Sequence, residues 1–259
     1  MLLIPLVEDS KNKNFSTEKG LSLFIEINGE KIIFDTGKTD LFIENANKLN
    51  IKMNEIDLFV ISHGHADHIG GTSYLDSNIL NSTLIYVEKQ CLNNDFYFNF
   101  YGIKNKIGNN TPKIGGVKFN SLYKINNNLF LLKSEKREST NKYQINEIPD
   151  NFEHEIHFIV IENNCLNIFT GCCHSGIINL LETTKKLFPD RKINSIIGGL
   201  HTRSYIFHPI KLIKLILNLK QQQVPILILG HCTGKVVRSI ISIFLKNVIK
   251  IETGKKYKL

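Results

Sequence analysis

The run Ile56-Asp57-Leu58-Phe59-Val60-Ile61, continued by Ser62-His63-Gly64-His65-Ala66-Asp67-His68 and closed by Ile69-Gly70-Gly71, decides how this chain is read. Its first six residues are mostly apolar and include β-branched residues, the composition of a buried strand. The two glycines at its end are where a regular strand cannot continue. The histidines therefore occupy a loop at a strand's end. Imidazole nitrogen is a preferred ligand of zinc and related ions, and a carboxylate adds a hard anionic ligand. Extended backbone points His63 and His65 the same way, and a turn then brings Asp67 and His68 round to face them. Three histidines and an aspartate within six residues make a metal site the leading reading. Its competitor is a set of unrelated histidines beside a helix-capping Asp67.

Upstream, Met1–Leu6 reads as a first strand, and Leu23–Ile27 with Lys31–Asp35 as a hairpin turning at Asn28-Gly29-Glu30. A helix is expected over Leu41–Leu49, with Leu41, Ala46 and Leu49 on one apolar face and Thr39 or Asp40 as cap. Leu84–Val87 reads as a strand. From Asn93 to Lys118 the segment is rich in Asn, Gly, Lys and aromatics, and Asn109-Asn110-Thr111-Pro112 interrupts it. An irregular connection, or a loop covering the site, is expected there. Asn126-Asn127-Asn128 marks a further turn. Strands at Leu129–Leu132, Ile156–Ile161 and Leu166–Thr170 then lead into alternation. Helices Ile177–Phe188, Pro209–Lys220 and Gly234–Leu245 interleave with strands Ile193–Ile197, Pro225–Leu229 and Val248–Ile251. That order predicts α/β layering.

Three of the later strands run into glycine and then histidine. Gly171-Cys172-Cys173-His174-Ser175-Gly176 follows Ile168-Phe169-Thr170, Ile196-Ile197-Gly198-Gly199 leads to Leu200-His201, and Leu229-Gly230 to His231-Cys232-Thr233-Gly234. Strand ends in layered α/β folds commonly host sites, so His174 is a candidate for metal or active-site work. The competing role is packing on a helix end that Ser175 caps; Thr233 is placed to cap the helix after His231. His201 is a candidate to bind substrate or donate a proton, since histidine titrates near neutral pH. His157 and His208 lack such settings and read as ordinary strand and helix-start residues.

Glu18-Lys19-Gly20-Leu21-Ser22, Phe34-Asp35-Thr36-Gly37, the HGHADH run, Phe152-Glu153-His154-Glu155, GCCHSG, GGLH and GHCTG follow one another across nearly the whole chain. A His-x-His-x-Asp-His run after a hydrophobic strand is the signature of the metallo-β-lactamase superfamily, which this sequence resembles. The full series looks like the branch named for 7,8-dihydropterin-6-yl-methyl-4-(β-D-ribofuranosyl)aminobenzene 5'-phosphate synthase, which joins a dihydropterin to an aminobenzene ribosyl phosphate in methanopterin biosynthesis. The resemblance implies a metallo-β-lactamase-like four-layer αββα sandwich, one domain over residues 1–259 with packed halves of about 1–118 and 119–259. It implies that His63 and His65 bind one metal and Asp67 and His68 a second, with His231 as the second metal's last ligand. In the same register His154 would be the first metal's third histidine, and Cys172 stands where a bridging aspartate is usual. Either Cys172 or His174 takes that place, or the bridge is absent. The usual Glu-His-Gly near the start is Glu-Lys-Gly here, so Glu18 is a substrate-side candidate beside an altered neighbour.

The resemblance further implies a metal-dependent enzyme holding one or two ions, zinc first and Mn, Fe or Mg as alternatives. Asp67 and His201 are the expected catalytic residues. In a synthase version the metals stabilise a departing diphosphate while an arylamine or ring carbon attacks the pterin methylene. In a hydrolytic version, acting on an ester or phosphoester, they activate water. The aromatic-rich Phe96–Tyr101 suits a planar ligand, although core or loop packing is the plainer role.

Composition bounds these readings. At 259 residues, 42% of them hydrophobic and 22% charged, the chain can bury the core of an ordinary globular protein. No apolar run approaches bilayer length, and the N-terminus reads as a strand rather than a signal segment, so no membrane partner is expected. Five cysteines, an odd count with two adjacent, argue against a disulfide framework and for a reducing cytoplasm. A net charge of +8 suits a small anionic, phosphorylated substrate. Nucleic acid is the lesser reading of that charge. The lysines are scattered, Lys133, Lys136 and Arg137 alternate with Glu135 and Glu138, and no nucleic-acid-binding motif accompanies them. A non-catalytic metal-bound sensor is a third class, disfavoured by the retained aspartate. Oligomeric state is left open.

Overall fold

In the computed structural model, residues 1–10, 12–100, 103–109, 114–135, 142–146 and 148–259 are described. The expected break at residues 110–112, Tyr101 of the aromatic stretch, and Lys136, Arg137 and Glu138 of the mixed-charge segment lie outside them. The chain divides into two compact units. One comprises Met1–Lys118, Glu138–Ile156 and Glu252–Leu259, the other Phe119–Arg137 and His157–Ile251.

The first unit contains a six-stranded sheet in the order Tyr257–Lys258, Leu2–Val7, Ser22–Ile27, Glu30–Phe34, Leu58–Ile61, Leu84–Val87. The hairpin turns through left-handed Asn28 and Gly29, pairing Ile27 with Glu30. Leu58–Ile61 is buried along its length between two parallel neighbours, which is why its sequence is a continuous apolar run. Helix Leu41–Lys48 lays Leu41, Phe42 and Ala46 in a cluster with Ile4, Leu6, Phe24, Ile33 and Phe59. Its first turn is held by Thr39, whose Oγ1 accepts from the Leu41 amide at 3.2 Å, while Asp40 makes no side-chain cap.

Half of the irregular connection expected over Asn93–Lys118 is a strand pair. Asp95–Phe100 and Ile103–Asn109 run antiparallel, and Tyr143–Ile145 and Ile148–Pro149 complete a second, four-stranded sheet. Asparagine and glycine suggested a loop, but the segment's aromatics are what the sheet uses. Phe96 is fully buried and Phe98 packs on Tyr143 with ring centroids 5.1 Å apart. Tertiary burial of alternate aromatics outweighs weak local propensity.

The second unit is a seven-stranded sheet in the order Val248–Lys250, Ile226–Leu229, Lys192–Gly198, Cys165–Thr170, His157–Glu162, Leu129–Leu132, Leu122–Lys124. Cys165–Thr170, Lys192–Gly198, Ile226–Leu229 and Val248–Lys250 are successive parallel strands. Helices Ile177–Leu187, Pro209–Gln222 and Lys235–Phe244 connect them. Leu180, Leu181, Leu215, Leu219, Val237 and Ile241 bury against Ile159, Leu166, Ile168, Ile196 and Leu227. Parallel pairing brings Thr170 level with Gly198 and Gly198 level with Leu229, so three loops leave the sheet side by side. Among the described residues no helix is long and apolar enough to cross a membrane.

Candidate metal centre

In the first unit the strand Leu58–Ile61 ends at Ser62, and His63, His65 and His68 follow within a loop and the short helix Ala66–Ile69. The three rings are buried together, His63 lying 4.5 Å from His65 and 4.2 Å from His68 by ring centroid. What aims them is Asp35, fully buried and left-handed at φ 59°. Its Oδ2 accepts from His68 Nδ1 at 2.6 Å and from Ser62 Oγ at 2.8 Å, and its Oδ1 accepts from the Ser62 amide at 2.7 Å. Ser62 spends its hydroxyl proton on Asp35, so at 2.9 Å its oxygen accepts from His63 Nδ1. One carboxylate thus sets two tautomers, placing the proton of His63 and of His68 on Nδ1 and leaving each Nε2 as a donor to metal. Thr36 grips the same segment, its amide and hydroxyl both donating to the His68 carbonyl at 2.7 and 3.0 Å. Gly71 is required for that approach, because a Cβ there would lie 2.3 Å from the Thr36 carbonyl oxygen.

His63 Nε2 and His65 Nδ1 stand 3.1 Å apart. Two imidazole nitrogens on one tetrahedral zinc stand about 3.3 Å apart, so the pair fits a shared ion. Burial drives the His65 pKa down to about 3, and the charges of His154 and His68 add to this against the opposing Asp67 and Asp150. His65 is therefore neutral at physiological pH, the form that ligates metal. Phe96, Tyr143 and Phe152 surround its ring at 5.9, 5.6 and 6.2 Å.

His154 stands 6.2 Å from His63 by ring centroid, with both nitrogens engaged. Its Nδ1 accepts from the Gly64 amide at 3.3 Å and its Nε2 donates to Asp150 Oδ2 at 3.0 Å. Burial pushes the Asp150 carboxyl up, but the bond and charge of His154 prevail and hold it below the usual range. In this arrangement His154 braces the loop; ligation would require release of the Gly64 contact. Asp67 lies 3.3 Å from the Lys19 ammonium through Oδ2, so the lysine of the Glu-Lys-Gly run faces the expected second-metal carboxylate. Glu18 holds the turn after Asp35, accepting from the amides of Lys38 and Thr39 at 2.7 and 3.1 Å and from Thr39 Oγ1 at 2.9 Å.

In the second unit His174, His201, His231, Cys172 and Cys232 gather on the three adjacent loops. The His174 and His201 rings lie against each other with centroids 4.1 Å apart, tilted by 40°. Cys173, His201 and His231 all adopt left-handed φ, at 59°, 51° and 45°, a cost that well-determined functional loops sustain. Burial raises the Cys232 thiol pKa, but bonds with Cys172 and His201 and the charges of His231 and His201 outweigh it, leaving Cys232 well below the ordinary cysteine range. Thr233 and Ser175 do not cap helices. Thr233 Oγ1 accepts from the Leu200 amide at 3.0 Å, and Ser175 Oγ joins Ser134 and His157 in a buried network. His157 also contacts Thr170 Oγ1 at 3.1 Å and is structural, while His208 sits exposed at a helix start. Sequence reasoning passed over Asp35, Ser62 and Cys232. The Asp-Thr-Gly turn was visible, but nothing local tells that its carboxylate reaches His68.

The profile described as Metallo-beta-lactamase superfamily matches residues 17–158. The chain belongs to the metallo-β-lactamase superfamily. It has the metallo-β-lactamase fold, an α/β fold, and the generally metal-dependent chemistry of that superfamily suits the His/Cys groups described above. The 7,8-dihydropterin-6-methyl-4-(beta-D-ribofuranosyl)-aminobenzene-5'-phosphate synthase of Methanocaldococcus jannaschii is 27% identical over 269 residues, covering 94% of this chain and 91% of that one. An uncharacterised protein of the same organism is 29% identical over 207 residues, covering 76% and 77%. A crystal structure described as Tm1679, a metal-dependent hydrolase of the beta-lactamase superfamily, superposes with a TM-score of 0.83 at 27% identity, covering 100% of this chain and 99% of that one. Metallo-β-lactamase members are mostly enzymes.

Proposed function

We propose that this chain is a metal-dependent transferase of the dihydropterin–ribofuranosylaminobenzene 5'-phosphate synthase type, acting on an anionic, phosphorylated small molecule in the cytoplasm. The observation that carries this reading is similarity to the synthase over 94% of the chain. His63, His65, Asp67, His68, His174 and His231 are the proposed metal ligands, with Cys172 and His154 as further candidates and zinc as the first candidate ion. When bound, the metal supplies Lewis-acid stabilisation of negative charge developing on a departing phosphate oxygen. The chain's own residues do the rest. Asp35 and Ser62 keep the tautomers of His63 and His68 correct, and the aromatic wall keeps His65 dry and neutral. His201 contacts the substrate or passes it a proton, Asp67 contributes its carboxylate, and Glu18 acts on the substrate side through the turn it holds. Residues 191–251 carry ten Lys and Arg and no Asp or Glu, which favours an anionic ligand by long-range attraction.

Incubating the pure metal-loaded protein with the dihydropterin and aminobenzene substrates tests this directly. A condensed product by mass spectrometry is expected, and its absence overturns the synthase reading. The TM-score of 0.83 to a protein described as a metal-dependent hydrolase favours a second reading, hydrolysis of an ester or phosphoester. Turnover of a phosphoester panel without condensation would select it.

A further inference from the structure

Cys172, His201 and Cys232 come from three loops of the second unit and meet at its sheet edge. Each offers one donor atom, two thiol sulfurs and one ring nitrogen, and all three lie within 4.8 Å of one another. We propose that they form a thiolate-bearing metal site that takes zinc or another soft divalent ion, within the second unit alone. The loops are built for this meeting. Gly199 donates its amide to Gly171 O at 3.0 Å and Gly230 donates to Gly198 O at 3.1 Å, which locks the three strand ends together. Residue 199 has to be glycine, since a Cβ would stand 2.4 Å from Cys232 Sγ and 2.6 Å from the Gly171 carbonyl oxygen. Thr233 fixes the other side, bonding the Leu200 amide through Oγ1 and Thr202 Oγ1 through its carbonyl. The His201 amide donates to Cys232 Sγ at 3.3 Å, the kind of outer contact that orients a ligating sulfur.

The donor chemistry selects the ion. Sulfur at ~2.3 Å and nitrogen at ~2.0 Å around one tetrahedral zinc stand roughly 3.5–3.8 Å apart, inside the observed spread. Two thiolates and an imidazole favour zinc, cobalt or ferrous iron over magnesium or manganese, which prefer oxygen. Binding expels both thiol protons to solvent, leaving two thiolates on the ion. The site needs neither the histidines of the first unit nor any assigned reaction, but it draws on His201 and Cys172, so an ion held there takes the place of the substrate-side role of His201 and of Cys172 as a further ligand in the synthase reading.

Cobalt(II) added to the metal-free full-length protein is the probe, because thiolate ligation produces a near-ultraviolet sulfur-to-cobalt charge-transfer band. The wild type is expected to show it, as is Cys165→Ser, whose thiol lies outside the cluster. Cys232→Ser should lose about half the band and the Cys172→Ser/Cys232→Ser pair all of it, with circular dichroism checking the fold of each. His63→Ala/His65→Ala should keep it, even if that variant forms no condensed product. A wild type without the band, or a Cys232→Ser spectrum identical to wild type, overturns the site. Should the cysteine variants fail to fold, absence of the band from the wild type, or its loss in His63→Ala/His65→Ala, still overturns the site, and its persistence in that histidine variant supports it.

Discussion

Asp35 is a residue whose removal should reach furthest from its own position. It holds His68 directly and His63 through Ser62, so Asp35→Ala releases two ring orientations at once. Loss of such an outer carboxylate is expected to weaken metal affinity about 10- to 100-fold, measurable by competition with a chromogenic chelator. Unchanged affinity would remove Asp35 from the site. Asp67→Ala, by contrast, should abolish turnover with little change in thermal stability, since Asp67 is partly exposed and its ion pair is with the exposed end of Lys19. His65 carries a pH prediction. Burial holds it near 3 against 6.5 in the free state, so the unfolded chain takes up a proton that the folded chain refuses. Stability present above about 6.5 is therefore lost as pH falls towards 3. The melting temperature of metal-free wild type should drop more steeply between pH 7 and 4 than that of His65→Phe; equal slopes would contradict this.

At the scale of elements, the pair Asp95–Phe100 and Ile103–Asn109 is the piece whose role its sequence concealed. It delivers Phe96 to within 5.9 Å of the His65 ring and 4.9 Å of the His154 ring. Truncation to Phe96→Ala opens a cavity and is expected to cost about 3–5 kcal/mol in denaturant unfolding. It should also let water reach His65 and raise its pKa towards the free value, followed by the NMR titration of that ring. A stability change without movement of the titration would make Phe96 a packing residue only. The strand–helix repeats of the second unit were plain to read because each helix shows a buried stripe and the parallel strands carry short apolar stretches, Ile226–Leu229 being unbroken. The aromatic pair was not, because its stabilisation comes from partners at residues 143–145, more than thirty positions away.

For the whole molecule, metal binds the folded chain and not the unfolded one, so chelation should lower its stability. At a hundredfold excess over Kd the linkage is about 2.7 kcal/mol, equivalent to roughly 5–10 °C for a chain of this size. Dialysis against a chelator should produce that shift and added zinc should reverse it; identical melting curves would argue against a resident ion. What the sequence alone determined is the HGHADH loop at the end of a buried strand, the α/β alternation, and the histidines at later strand ends. Those signals are local, carried by periodicity and by donor side chains a few positions apart. Only the tertiary structure decided that Asp35 sets the histidine tautomers, that His154 is held by Gly64 and Asp150, and that Cys232 joins Cys172 and His201. Apart from His154 with Asp150, four positions apart in one loop, each of those contacts joins residues on different loops, brought together by strand register, and register is set by the burial of a whole sheet face rather than by any one segment.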